Sequence, residues 1–467
     1  MNRTGETVVV GGGISGLTAA FWLRHRGAPV TVLEQGARPG GTMQTEREGG
    51  WLVETGPNSA LETTPLFGEM FRILGLETER EYADPASNKR YILRGGELHP
   101  LPMSPLAFLS TKLWSASGKL RILKEPFIGR GAEEETIAQF VERRLGREML
   151  DYAINPFVAG VYAGDPAQLS VRAAFPKLYA LEEKYGGLIR GMIGGARERK
   201  ARAEKAKDRA RMFSFRSGMQ AFPEAIGAFL GDRFRPGCAV ESVEPLPPGD
   251  PRGRYAVRYS RNGAAETLYA GAAILAVPAL PAAGLLRPLD AELAARLEGI
   301  YYPPVAEVVL GFRSDQIARP LDGFGYLIPA KEGRKILGTI WSSTIFRGRA
   351  PAGHEAFTTF VGGSRQPELL AMDDAALRAT VCAELASIMG VRGEPVMERI
   401  IRWPRAIPQY TLGYLEHYRR MEEFESRHPG LLICGNFRGG IAVGDCVMTG
   451  EKTARRTLEF FESHDVH

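Results

Sequence analysis

The 467-residue chain has few cysteines and histidines, the side chains most often used for thiol chemistry and for binding transition metals. Its only cysteines are Cys238, Cys382, Cys434 and Cys446, and no two of them have the spacing of a metal-binding or redox pair. We therefore expect buried thiols in a reducing compartment and no metal site. The seven histidines have no supporting motif, and no Ser-His-Asp set or carboxylate pair stands out as an acid or base. No catalytic side chain can be assigned with certainty from these residues.

The sequence also lacks a hydrophobic run suited to crossing a membrane. The longest uncharged stretch, residues 268–286, contains two glycines and two prolines that would interrupt a spanning helix. We expect a buried strand over residues 272–277 and a proline-bent loop after it. The apolar run at residues 7–10 is too short for a signal peptide. These features predict a cytoplasmic chain without a transmembrane segment.

Charge is nearly balanced, with a net charge of +5. Residues 196–211 hold eight basic and three acidic residues, an excess equal to the whole surplus. A solvated connector with mixed-sign pairs is one interpretation, and contact with anionic lipid headgroups is the other. No nucleic-acid-binding motif or basic–aromatic pattern accompanies this segment. A nucleic-acid partner is therefore not expected.

Glycine is abundant, and its first cluster lies in a strand–helix–strand pattern. An apolar strand is predicted at residues 7–10, a helix at 14–26 and a second strand at 28–34. This βαβ unit is the minimal module of nucleotide-binding sheets. The fold class predicted is therefore α/β, with a parallel sheet at the N-terminus.

The turn between the first strand and the helix carries the GxGxxG pattern. Gly11, Gly13 and Gly16 stand where a side chain would obstruct the turn, the pyrophosphate, or helix–strand packing. The helix that begins near Ile14 directs its free N–H groups at the phosphates. Glu34, at the end of the second strand, can accept hydrogen bonds from both ribose hydroxyls and would repel a 2′-phosphate. These residues predict a bound dinucleotide.

A second glycine cluster follows the ribose carboxylate. Arg38, Gly40, Gly41 and Thr42 would provide a cation, two bare backbone positions and a hydroxyl near the pyrophosphate. NAD domains have no general need for this cluster, so it favours FAD. The whole of residues 8–45 resembles the opening of the amine-oxidase-like FAD flavoproteins, whose pattern is a strand, GxGxxG, a strand ending in Glu, and RxGG.

Later segments resemble the same flavoproteins. "CAVESV" at 238–243 is similar to the strand that meets the adenine, and "CGNFRGGIAVGDCVMTGEKTA" at 434–454 is similar to their closing flavin segment, where Gly444 and Asp445 begin a helix. The resemblance implies an FAD site with a number of backbone and side-chain contacts. The expected cofactor-binding residues are Gly11, Gly13, Ile14, Ser15, Gly16, Glu34, Gln35, Arg38, Gly41, Thr42, Gly56, Pro57, Asn58, Ser59, Val240, Trp403, Gly435, Ile441, Ala442 and Val443.

Motifs in the middle of the chain point to one branch of these flavoproteins. The chain resembles the protoporphyrinogen oxidase family at residues 54–59, 89–105, 157–176, 322–346, 358–369 and 402–417. The resemblance implies FAD-dependent oxidation of protoporphyrinogen IX to protoporphyrin IX in haem biosynthesis. Six electrons would leave in three flavin turnovers, and O2 would be the acceptor. Oxidation of coproporphyrinogen III, which has four carboxylates instead of two, stays open as an alternative.

A porphyrinogen needs an apolar slot, a cation for its carboxylates and access to the flavin. The apolar positions Leu327, Trp341 and Phe346 are candidates for the slot. The resemblance implies that Arg94 pairs with a substrate carboxylate and that Gly164 lies beside the substrate ring. It also places Asn58 near both flavin and substrate. With no base assigned, catalysis would depend on the flavin and on positioning.

Two other functions are compatible with the same fold. Another flavin oxidase, such as an amine oxidase or a polyene desaturase, is one, although Arg438-Gly439-Gly440 replaces the acidic and tryptophan-bearing turn typical of amine oxidases. A non-catalytic escort protein is the other, although such proteins need not keep the FAD motifs that this chain retains.

The expected architecture has three parts, and a homodimer is the family-level expectation. We expect a Rossmann-like FAD domain, a mixed-sheet substrate domain, and a helical insertion that leans on a membrane surface without spanning it. These parts are, in order, residues 1–85 with 212–285 and 425–467, residues 86–103 with 286–424, and residues 104–211.

Overall fold

A computed structural model describes residues 5–131, 133–195 and 210–464. Most of the basic segment discussed above, residues 196–209, lies outside the described residues. The described strands are β1 Thr7–Val10, β2 Val30–Leu33, β3 Thr45–Glu48, β4 Trp51–Glu54, β5 Ala60–Leu61, β6 Arg80–Tyr82, β7 Arg90–Arg94, β8 Glu97–Pro100, β9 Met212–Phe215, β10 Phe234–Arg235, β11 Cys238–Pro245, β12 Tyr255–Arg261, β13 Ala264–Ala270, β14 Ala272–Leu275, β15 Val305–Arg313, β16 Gly325–Leu327, β17 Gly338–Trp341, β18 His354–Gly362, β19 Met397–Trp403 and β20 Leu431–Ile433.

Helices lie between these strands and are concentrated between β8 and β9. The described α-helices are α1 Ile14–His25, α2 Leu66–Leu74, α3 Pro105–Ser110, α4 Ala116–Ile122, α5 Ile137–Leu145, α6 Arg147–Met149, α7 Asn155–Tyr162, α8 Val171–Ala174, α9 Pro176–Tyr185, α10 Leu188–Gly194, α11 Ala221–Leu230, α12 Ala279–Leu286, α13 Ala291–Glu298, α14 Ser342–Ile345, α15 Asp374–Met389, α16 Tyr414–Arg427 and α17 Val443–His464. In the described part of the chain, no helix combines the length and the apolar character needed to cross a membrane.

The N-terminal βαβ unit forms the centre of a five-stranded parallel sheet. Its strand order is β10-β2-β1-β14-β20, so distant parts of the chain complete a sheet that begins at Thr7. The four residues of β1 are all buried, as expected for a strand covered on both faces. Helix α1 packs beside α17 on one face, and the three-stranded sheet β11-β12-β13 lies next to β14 in the chain. The predicted α/β, Rossmann-like fold class is confirmed.

A second, seven-stranded mixed sheet has the order β19-β15-β18-β17-β16-β7-β8. Its core side packs against α15, which has a capping residue at each end. The Asp373 side chain accepts a hydrogen bond from the backbone N–H of Ala376, and Gly390 takes a left-handed conformation at the C-terminus. The sheet therefore presents its other face to the rest of the molecule.

One element differs from the sequence-based expectation. Residues 279–286 form helix α12 and not a proline-bent loop. Pro278 precedes the first helical residue, and Pro281 stands in the first turn, where backbone N–H groups have no partner within the helix. Both prolines are thus compatible with a helix start. The division of the chain into three domains with the boundaries given above stays a prediction.

Candidate cofactor and substrate site

A cavity of about 1380 Å³ is lined by residues of both large sheets and by α7, α12 and α17. Ordinary small-molecule pockets measure about 300–1000 Å³, so this cavity has room for an extended dinucleotide and more. Every residue predicted above to contact the cofactor lines it, with the exception of Gly16. The predicted cofactor residues are therefore brought together in one place.

The glycines of the β1–α1 turn divide into two structural roles. A Cβ atom on Gly16 would lie 2.2 Å from the Gly11 carbonyl oxygen, so Gly16 lets the helix approach the strand. Gly11 has φ +107°, and a Cβ there would lie 2.6 Å from the Ala276 oxygen. A Cβ on Gly13, by contrast, would meet no protein atom within 4 Å and would enter the cavity. Gly13 therefore leaves space that a ligand can fill, as a phosphate-binding turn requires.

Glu34 follows β2 directly and is fixed by two backbone groups. Its Oε2 accepts a hydrogen bond from the N–H of Gly12 at 2.6 Å, and its Oε1 accepts from the N–H of Gly36 at 2.7 Å. A carboxylate has about four acceptor positions, so each oxygen can accept one more hydrogen bond. Glu34 is thus held at the cavity wall with both carboxylate oxygens able to accept hydrogen bonds from ribose hydroxyls.

The second glycine cluster lies against the first. Gly40 donates its N–H to the Gly12 carbonyl at 2.8 Å and pairs with Gly13 as an isolated parallel bridge. Gly40 and Gly41 have φ +120° and +60°, which side-chain-bearing residues rarely adopt. The Arg38 guanidinium donates to the side-chain amide oxygen of Gln44 at 3.1 Å, a neutral partner. Its positive charge is thus available to an anionic ligand.

The loop before α17 forms the far end of the cavity, and it is held by two stacked tyrosines. The Tyr410 hydroxyl donates to the Asn436 carbonyl at 2.6 Å and accepts from the Gly440 N–H at 3.1 Å, while the Tyr414 hydroxyl donates to the Phe437 carbonyl at 2.8 Å. The two ring centroids are 4.3 Å apart. Burial raises the pKa of both phenols, so they stay neutral.

These tyrosines were missed by the sequence analysis. Tyr414 and Tyr418 lie four residues apart on α16, a spacing that aligns side chains on one helix face, and Tyr410 precedes them by the same interval. This repeat could have indicated them. The loop that they fix leads into α17, and Ala442, Val443 and Gly444 at the start of that helix line the cavity. Helix-terminal N–H groups at this place favour negative charge on a ligand.

Two buried glutamates, one in the cavity wall and one behind it, were also missed. Glu307 lines the cavity from near the start of β15 and is 5% exposed. Burial raises the pKa of its carboxyl to about 8, the nearby indole N–H of Trp403 opposes the shift, and Glu54 adds to it. Burial also raises the pKa of Glu54 to about 6, although Arg349 lies 3.6 Å away and Thr45 donates a hydrogen bond at 2.6 Å.

The residues predicted to bind substrate are only partly brought together. Asn58 lines the cavity, and its side-chain amide donates to the Gly56 carbonyl at 3.3 Å. Arg94 lies outside the lining: its guanidinium is 3.0 Å from Glu148 and 4.2 Å from the Tyr152 ring centroid. A Cβ on Gly164, also outside, would lie 2.3 Å from the side-chain oxygen of Gln409.

The predicted slot residues lie behind the cavity wall. Trp341 is fully buried in the core of the seven-stranded sheet, while its neighbour Ile340 lines the cavity, because successive side chains in a strand face opposite sides. Phe346 borders a small adjoining void. Leu327 lies 2.6 Å from the place of a Cβ on Gly160, a lining residue, and so packs directly behind the wall.

Comparison with known proteins adds three findings. A family model described as flavin containing amine oxidoreductase matches residues 14–458. The chain is 32% identical to protoporphyrinogen oxidase 2, chloroplastic/mitochondrial, of Arabidopsis thaliana, over 98% of this chain and 94% of that protein. It is 28% identical to coproporphyrinogen III oxidase of Bacillus subtilis (strain 168), over 98% of this chain and 99% of that protein.

Solved structures agree with the fold. The structure superposes on a candidate protoporphyrinogen oxidase from Exiguobacterium sp. 255-15, with a TM-score of 0.79, 25% identity, and coverage of 97% of this chain and 99% of that one. It also superposes on reduced UDP-galactopyranose mutase with a TM-score of 0.74 and 16% identity, covering 98% and 96% of the two chains. The second match shows the fold alone.

Proposed function

The chain belongs to the flavin containing amine oxidoreductase family, and we propose that it oxidises protoporphyrinogen IX to protoporphyrin IX in haem biosynthesis, with O2 as the acceptor. The observation that carries this proposal is the similarity over nearly the whole chain to enzymes named for this oxidation, together with a cavity large enough for cofactor and substrate. Its cofactor is FAD. The reaction removes six electrons in three rounds.

The residues of the cavity fit FAD. We propose that Gly13 and Gly41 give the pyrophosphate close access to the backbone, that Arg38 offers a cation, and that Glu34 accepts the ribose hydroxyls. The start of α17 would stabilise negative charge at the flavin end. Bound FAD supplies the hydride acceptor that no side chain of the protein can provide.

The other half of the cavity suits a large apolar ring. Leu337, Ile340, Phe360 and Ile407 line it, so a porphyrinogen can replace water there and be held against the cofactor. Arg94 remains our proposed partner for a substrate carboxylate, and this role requires that it exchange Glu148 for the substrate. A rise in KM with little change in kcat for Arg94→Ala would support the role, and unchanged kinetics would contradict it.

Coproporphyrinogen III is the second candidate substrate, since relatives from Bacillus subtilis and Staphylococcus aureus are named for its oxidation. Purified yellow protein mixed aerobically with either porphyrinogen should produce porphyrin fluorescence and peroxide faster than the spontaneous reaction. Competition between the two substrates decides which is preferred. A protein that accelerates neither oxidation contradicts the proposed function.

We also propose that the helical insertion binds the cytoplasmic surface of a membrane. Helices α3 and α4 and the turn after them expose Leu106, Leu109, Leu120, Leu123 and Phe127, the last at 85%. Four basic residues lie in the same segment, residues 105–127. An exposed apolar patch with basic neighbours is typical of contact with anionic lipid.

Sedimentation with lipid vesicles tests this surface. We expect the protein to bind vesicles containing phosphatidylserine more than vesicles of phosphatidylcholine, and we expect Phe127→Ser with Leu106→Ser to weaken binding. Equal recovery in the supernatant with and without anionic vesicles would contradict the proposal. A homodimer is proposed as the solution state, and light scattering that gives a monomer mass would contradict it.

A further inference from the structure

Strand β15 places one carboxyl on the face of the sheet that borders the cavity. Side chains alternate along the strand, so Val305 and Glu307 line the cavity while Ala306 and Val308 belong to the core beneath α15. The residues paired with Glu307 on the neighbouring strands are Phe360 and an isoleucine, both apolar. Glu307 is thus an acidic residue with apolar cross-strand neighbours, on a face that also carries Thr358 on β18 and Arg399 on β19 two positions along.

The carboxyl of Glu307 is incompletely satisfied by the protein. Among the described residues, its Oε2 is buried and has no hydrogen-bond partner. Buried polar atoms almost always have a hydrogen-bond partner, because an atom buried without one gives up its hydrogen bonds to water and gains none in the protein. Oε2 itself has no contact with solvent, so a group in the cavity would bind it only after the carboxyl turns toward the cavity that Glu307 lines.

The surroundings of Glu307 favour the protonated carboxyl and make the ionised carboxylate a stronger base than that of an exposed glutamate. Burial raises the pKa to about 8, and the indole N–H of Trp403 from β19, which donates its hydrogen to the Thr55 carbonyl at 2.9 Å, opposes the shift as a nearby dipole. From β4, Glu54 raises it further, and Arg349 at 3.6 Å from Glu54 partly balances that charge. On β18 the facing residue is Phe360, which does not titrate. A base is most effective when its pKa lies near the working pH.

We propose that Glu307 accepts the proton that a porphyrinogen loses from a pyrrole nitrogen in a two-electron round. The inference rests on the proposed function. In such a round a C–H bond of a bridging methylene breaks, and bound FAD would take its hydride. Three rounds remove three hydrides and three protons. Because the porphyrin keeps two of the four N–H groups and one hydrogen on each bridging carbon, two of these protons leave pyrrole nitrogens and the third leaves a bridging carbon. The N–H bond of an adjacent pyrrole breaks, its electron pair forms the new double bond of the ring, and its proton forms an O–H bond on Glu307. Solvent then takes the proton, and the carboxylate is restored.

Glu307→Gln tests the proposal because it keeps the shape and removes the titration. FAD-loaded protein is mixed anaerobically with protoporphyrinogen IX, and the loss of yellow colour is followed from pH 6 to about 9.5, a range around the usual working pH. In the unmodified protein the rate should rise with pH through an apparent pKa near 8 and then level. In Glu307→Gln it should be at least about 100-fold lower on the plateau and flat with pH. Equal rates and profiles in both proteins overturn the proposal.

Two further variants separate a chemical from a structural role. Glu307→Asp keeps a carboxyl and should keep a pH-dependent rate, whereas a flat profile in this variant counts against the proposal. Glu398→Gln, an exposed change on the neighbouring strand β19, should leave the rate and its pH profile unchanged. FAD content, measured for each variant, shows that the cofactor is retained.

A readout without substrate completes the test. The absorbance spectrum of bound FAD should shift with pH around 8 in the unmodified protein and should not shift in Glu307→Gln. A spectral shift that persists in Glu307→Gln contradicts the assignment of the titrating group. If the unmodified protein oxidises no porphyrinogen, the proposed function fails. If it is active and Glu307→Gln matches it, only the present inference fails.

Discussion

Replacing Gly13 with alanine is expected to abolish FAD binding while leaving the apoprotein folded. An added Cβ would touch no protein atom within 4 Å, so the substitution creates no clash inside the protein. The same Cβ would stand in the cavity where the pyrophosphate is proposed to lie. Gly13 is the N-cap of α1, and alanine is a poorer N-cap than glycine by about 1 kcal/mol or less. We expect no other loss in the free energy of unfolding of the apoprotein.

Gly16→Ala should have the opposite effect. Its Cβ would lie 2.2 Å from the backbone oxygen of Gly11, so α1 must move away from β1. Overpacking of this kind costs about 1–3 kcal/mol and here acts on the apoprotein. Gly68→Ala is the control, because Gly68 is exposed on α2 and a Cβ there meets nothing within 4 Å.

Thermal unfolding with and without FAD separates these variants. At FAD concentrations 100 times the dissociation constant, binding stabilises a protein by about 2.7 kcal/mol. The unmodified protein and Gly68→Ala should gain this stability, whereas Gly13→Ala should unfold at the same temperature with or without FAD. Gly16→Ala should already unfold earlier as apoprotein. Normal FAD binding by Gly13→Ala would refute the placement of the pyrophosphate.

Three further predictions concern buried or cavity-lining charges. Glu34→Gln should weaken FAD binding about 10- to 100-fold, measured by calorimetry, because charge-assisted hydrogen bonds contribute about 1.5–3 kcal/mol. A change in the dissociation constant of under about twofold would contradict the ribose contact. Arg349→Met should lower the free energy of unfolding in urea by about 3 kcal/mol or more, because Glu54 loses a buried ion partner. Adding Glu54→Gln should restore part of the lost stability, and no recovery in the double variant would contradict the pairing. Because the folded-state pKa of Glu307 is raised from 4.5 to about 8, the unmodified protein should lose stability relative to Glu307→Gln as pH rises between these values. A stability difference that does not change with pH would contradict that burial.

Much of the nucleotide-binding half could be predicted from local sequence. GxGxxG, Glu34 and the second glycine cluster lie within 31 residues of one another, from 11 to 41, and each glycine has a steric reason that can be derived without the rest of the fold. Helix α15 was equally predictable, since Asp373 and Gly390 are strong local signals at its two ends. The branch within the family came from resemblance and not from these physical arguments.

The substrate half was less predictable because strand faces depend on register. A one-residue difference decides whether Ile340 or Trp341 meets the cavity, and the apolar pattern of that strand does not distinguish them. Glu307 was missed for the same reason, since a single acidic residue in an apolar strand gives no indication of which face is buried. Strand β10, with only two residues, has too little sequence to reveal its place at the sheet edge.

Anaerobic mixing of the FAD-loaded protein with protoporphyrinogen IX tests the central claim most directly. The account predicts that the yellow colour is lost as porphyrin fluorescence appears, and that the colour returns when O2 is admitted. Flavin that stays oxidised in the presence of both protoporphyrinogen IX and coproporphyrinogen III would contradict it.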